Sequence, residues 1–122
     1  MSLKQSLINP VTSAPSKEHL AECWRRERDR HCLRIELNSG EAFLFPYQQF
    51  LGAQHVRSKN PETLKISFST HEVILSGRSL SEIAAALQDL AVDWIKPVPT
   101  RCQELAEVEG AFVTQIEVKA AE

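Results

Sequence analysis

The stretch that decides the fold runs from His71 to Ile95, HEVILSGRSLSEIAAALQDLAVDWI. Its opening "VIL" reads as a short, continuous apolar strand ended by Gly77. Beyond the glycine, Leu80, Ile83, Ala84, Leu87, Leu90, Ala91 and Trp94 recur at helical spacing and make one apolar face. That face predicts a long helix lying on a sheet, with about 1.5–3 kcal/mol gained for each large side chain buried.

A strand, a glycine turn and a helix start also lay out a phosphate-binding loop. Such loops use several glycines and often a lysine followed by Ser or Thr. Here Gly77 stands alone and no lysine follows. Ser79 and Glu82 instead fit S-x-x-E, the capping box, which would consume the amides an anion needs. The joint therefore reads as architecture, with Arg78 left over as an exposed charge at the turn.

Upstream, two hairpins precede this joint. In "HCLRIELNSGEAFLFPY", Leu33, Ile35 and Leu37 alternate with Arg34 and Glu36, and Asn38-Ser39-Gly40 supplies the turn. Pro46 ends the return strand or marks an edge, and "YQQFLGAQHVRSKNPE" continues as edge strand and loop. In "TLKISFSTHEVIL", Leu64, Ile66 and Phe68 face one way, Lys65, Ser67 and Ser69 the other, and Thr70-His71 turns the chain. An exposed His71 is expected there. Downstream, 100–110 reads as an acidic loop with Glu104, Glu107 and Glu109, and "FVTQIEV" as a last strand.

At the other end, residues 1–15 are rich in Ser, Thr, Asn and Pro and read as a flexible tail before one domain spanning 16–122. Ser16 can cap an N-terminal helix through "KEHLAECWRRERDR", docked by Leu20, Cys23 and Trp24. Glu22 with Arg26 and Arg25 with Asp29 would then be helical pairs worth about 0.2–0.5 kcal/mol each. Helix, two hairpins, long helix and last strand together predict an α+β fold. Its curved antiparallel sheet would have five to six strands and could close as a small barrel or roll.

Composition narrows the function classes. The chain has 122 residues and a net charge of −2, so no overall field draws it to nucleic acid or an anionic membrane. Charge is uneven: residues 1–60 carry nine Lys/Arg against six Asp/Glu, and residues 61–122 five against ten. No apolar run approaches the roughly 18 residues of a membrane span, and the N-terminus shows no signal-peptide core. Cys23, Cys32 and Cys102 have no disulfide or zinc spacing, which suits a reducing cytoplasm. His19 and Cys23 share a helical face, but a buried thiol is the simpler role for Cys23.

No nucleophile–base–orienter arrangement is visible, no cofactor is called for, and an enzyme would need a site that the sequence does not show. The reading favoured by the residues is a non-catalytic binding or assembly module. It would contact a protein partner or a second copy through Trp24, Phe45, Tyr47 and Phe50. The alternative is RNA or single-stranded nucleic acid. That reading rests on Arg25, Arg26, Arg28, Arg30 and Arg34 beside aromatics, with Arg57, Lys59 and Arg78 further along. Glu27 and Asp29 interrupt the basic run and weigh against it.

Overall fold

The computed structural model describes residues 22–98 and 110–121. In chain order these form β1 (Trp24–Arg26), β2 (Cys32–Glu36), β3 (Ala42–Pro46) and a 3-10 turn (Tyr47–Gln49). There follow β4 (Phe50–Val56), β5 (Glu62–Phe68), β6 (His71–Arg78), α1 (Ser81–Gln88), β7 (Val92–Ile95) and β8 (Phe112–Ala120). The strands make two four-stranded sheets, ordered β1-β7-β2-β3 and β4-β5-β6-β8. All neighbours are antiparallel except β2 and β7, which run parallel.

Alternation builds the core. Leu33 and Ile35 of β2, Leu64, Ile66 and Phe68 of β5, and Val73 and Leu75 of β6 are buried at every second position. These residues join Leu80, Ile83 and Leu87 around the helix in one hydrophobic cluster. The sheets are bridged by aromatics: the Phe45 ring of β3 stacks on Phe68 of β5, with centroids 4.6 Å apart. Among the glycines, Gly77 marks the tightest backbone approach, since a Cβ there would lie 1.9 Å from the Phe112 carbonyl oxygen.

Several expectations are corrected. Strands hold 54 % of the described residues and helical turns 12 %, so the chain is mostly β rather than α+β, with two sheets in place of one. The N-terminal helix is not present among the described residues. Trp24–Arg26 is a strand paired to Val92–Ile95, so neither proposed helical ion pair forms. Arg25 meets Glu27 instead, at 3.4 Å, and Arg26 meets Asp89, at 2.7 Å. The start of that helix at Ser16, the tail 1–15 and the acidic loop to Glu109 lie outside the described residues.

The long helix is the second correction. α1 ends at Gln88, because Leu90 turns left-handed with φ 53°. The Leu90 amide donates to Leu87 O and the Ala91 amide to Ala86 O, which is a Schellman closure. The chain then leaves as β7. The helical spacing ran on through Trp94 by coincidence, since a short strand also needs apolar residues where it enters a core.

The helix start differs too. Ser79 has φ 55°, a conformation that an N-cap does not adopt, and Leu80 takes the cap position without a side-chain bond. The free amides of Ser79 and Leu80 donate to the carboxylate of Glu62, at 3.0 and 3.2 Å. Glu82, released from capping, lies beside Gly110. His71 is half-buried rather than exposed, its ring tilted against Phe43 and Phe45.

Candidate binding face

Residues directly paired across a sheet point to the same side. In the first sheet Trp94 is paired to Arg25 on β1 and to Arg34 on β2, and Arg34 is paired to Leu44 on β3. The four side chains therefore form one cross-strand row, Arg25–Trp94–Arg34–Leu44, about 14 Å long at ~4.8 Å per strand. The neighbouring positions Leu33, Ile35, Phe45 and Ile95 are buried in the core, so this row lies on the outer face. Leu44 is 65 % exposed. The Lys96 ammonium sits 5.2 Å from the centre of a Trp94 ring.

Charge on this face is mixed. Arg25 pairs with Glu27, Arg34 with Glu36 at 3.1 Å, and Arg30 with Asp93 at 3.5 Å. In all three pairs the arginine is exposed, and only Asp93 is largely covered, so each contributes about 0–1 kcal/mol and the guanidinium can be offered to a partner's carboxylate. An open depression of about 430 Å³ takes in Arg34 and Leu44 of the row, and a second of about 490 Å³ adjoins it through Arg30, His31 and Cys32. Leu44 lines the first and Leu90 the second.

Two tyrosine bonds hold β7 under the row. Tyr47 Oη donates to Val92 O at 2.6 Å and accepts from Val92 N at 3.0 Å. Burial pushes the phenol up to about 12, and so the hydroxyl stays protonated to donate. Burial likewise raises the Cys23 thiol, whose Sγ donates to Ala111 O at 3.4 Å. Glu62 is shifted the other way. The hydrogen bond from His55 Nε2, at 2.9 Å, leads in holding its carboxyl below the usual range, helped by the Leu80 and Ser79 amides.

The residues singled out in the sequence are scattered differently from their grouping there. Phe45 and Tyr47 are core residues, 3 % and 9 % exposed, and so offer no surface to a partner. Trp24 and Phe50 are half-buried against the same core. Of the arginines, Arg25 and Arg34 share the outer face and Arg30 borders it. Arg26 turns away to Asp89, and Arg28 lies in the exposed turn after β1. Arg57 and Lys59 belong to the β4–β5 loop of the second sheet, and the Arg78 guanidinium lies over the Phe112 ring at 4.5 Å. Sequence reasoning missed Trp94, Lys96 and Leu44 as a surface. The signal was the "VDWI" alternation, which sets Trp94 out of phase with Ile95 once it is read as a strand.

Among the described residues no three His, Cys, Asp or Glu side chains gather as a metal site, and no helix is long and apolar enough to cross a membrane. Comparison with known protein families, curated proteins and solved structures finds no match.

Proposed function

We propose that this chain is a non-catalytic binding module that engages a protein partner through the outer face of the first sheet. The observation that carries this reading is Trp94 set between Arg25 and Arg34, with exposed Leu44 at the end of the row. Trp and Arg are the side chains that most often dominate protein interfaces. The carboxylates beside each arginine make the face mixed in charge, which suits a protein surface better than a run of phosphates. A cytoplasmic setting goes with this reading, in which Cys23 and Cys32 work as free thiols.

One observation favours a second reading. Trp94 flanked by two arginines and Lys96 is also a platform on which a base of single-stranded RNA or DNA can stack. One experiment separates the two. Affinity capture with wild-type, Trp94→Ala and Trp24→Phe baits should show partners lost only with Trp94→Ala. In Trp24→Phe protein, Trp94 is the remaining indole, and its fluorescence should not respond to oligouridylate at low salt. Identical captures from all three baits would overturn the protein reading. Oligonucleotide binding that falls steeply with salt would replace it with the second.

A further inference from the structure

Among the described residues the two sheets have four edges, and three of them are guarded against pairing with another strand. β1 is three residues long, with two arginines and a register shift. β8 carries exposed Glu117 and Lys119. β4 is bent by an irregularity between Phe50 and Gly52 and has α1 beside it. β3, "AFLFP", has no charged residue, and its five pairs with β2 run without a register shift. Natural sheets seldom leave a regular, neutral, apolar edge open.

The hydrogen-bond parity shows what that edge offers. Tyr47 N donates to His31 O and Leu37 N to Glu41 O, so the pairs 31–47, 33–45, 35–43 and 37–41 are the hydrogen-bonded ones. Phe43 and Phe45 therefore spend their backbone groups on β2. Ala42 and Leu44 turn N–H and C=O outward, and Pro46 turns a C=O outward with no N–H.

We propose that β3 pairs with β3 of a second copy, antiparallel, about a two-fold axis through Leu44. Leu44 is the middle residue of the strand, and so this register is self-complementary. The two Leu44 residues exchange two hydrogen bonds, and each Ala42 amide donates to the Pro46 carbonyl of the other copy, giving four in all. Pro46 is the one guard, and it removes bonds only at the ends of the pairing. The exposed Leu44 side chains cover each other on the outer face. No charge meets a like charge there. Arg34 and its copy stand three strands apart, about 14 Å, which is beyond the ~8 Å screening length of physiological salt. The product is one eight-stranded sheet in which the row runs Arg25–Trp94–Arg34–Leu44 and then back through its copy. This inference does not depend on the binding reading.

A five-residue interface is small, so the dimer is a weak one, seen at high protein concentration. Sedimentation equilibrium up to about 1 mM protein should show a reversible monomer–dimer exchange. Leu44→Lys sets two ammonium groups across the axis at an already exposed site. It should abolish the dimer while leaving the circular dichroism spectrum unchanged. Leu51→Lys, on the β4 edge, should dimerise as the wild type does. With Cys32 and Cys102 replaced by serine, Leu44→Cys should oxidise to a disulfide-linked dimer and Leu51→Cys should not. A wild type that stays monomeric throughout overturns the proposal. So does a dimer that survives Leu44→Lys, or equal cross-linking of the two cysteine variants.

Discussion

Tyr47 grips Val92 by both of its backbone polar groups, donating to the carbonyl and accepting from the amide. The bonds tie the turn after β3 to the first residue of β7. Tyr47→Phe leaves a buried N–H and C=O without their partner and should lower stability by about 1–3 kcal/mol, read from denaturant melts. Tyr47 is the sole tyrosine of the chain, so tyrosinate absorbance reports it alone and should titrate near 12 in the folded protein. The folded value lies above the unfolded one, so the native state keeps a proton that the unfolded chain releases. Stability should therefore be full below about pH 10 and fall above it by about 1.4 kcal/mol per pH unit. Tyr47→Phe should lack this alkaline limb.

Glu62 holds the entrance to α1 from a different strand, and its carboxyl is held below the usual range. A depressed carboxylate stabilises fully above its unfolded value, about 4.3, and that contribution disappears as pH falls through the lower folded value. Thermal melts down the acid range should show this limb in the wild type. Glu62→Gln should flatten it and lower stability at neutral pH. An unchanged acid limb would show that the amides of Ser79 and Leu80 do not need the charge.

Leu90 closes α1 in a left-handed conformation that a side chain resists. It is also 44 % exposed, so little burial is lost when it is removed. Leu90→Gly should raise stability by about 0.5–1 kcal/mol, or about 2–5 °C in Tm.

The two described thiols should react at different rates. Cys23 is buried and its thiol is pushed up by desolvation, whereas Cys32 is half-exposed beside both depressions. Brief alkylation of native protein, mapped by mass spectrometry, should label Cys32 well ahead of Cys23. Labelling of Cys23 at the same rate would mean that the Cys23–Ala111 contact opens freely.

The hairpins were legible because a half-buried strand writes its period directly into the sequence, as Leu33 with Ile35 and Leu64 with Ile66 do. The helices were misread for a physical reason. Between Leu80 and Trp94, helix, left-handed turn and strand each put apolar residues at spacings that a single helix would also use, and Leu90 hides the break because glycine usually marks it. "CWRRERDR" shows helical ion-pair spacing, but Cys23 and Trp24 find their burial by pairing with residues some 70 positions away. No local pattern records such a partner. The outer row was invisible for the same reason. Arg25, Arg34, Leu44 and Trp94 become neighbours only through strand order.

That strand order also bears on how the molecule is made. The second sheet draws β4, β5 and β6 from one continuous stretch, so those strands can pair as soon as they leave the ribosome. The first sheet cannot assemble in the same way. Its two central strands, β2 and β7, are parallel and lie some 60 residues apart, and β1 has β7 as its one described neighbour. Until Val92–Ile95 has been synthesised, β1 has no mate among the described strands and the β2–β3 hairpin lacks its described neighbour. Contacts this distant in sequence form late and slowly. A chain released before residue 95 would expose the same apolar strands to its neighbours in the cell.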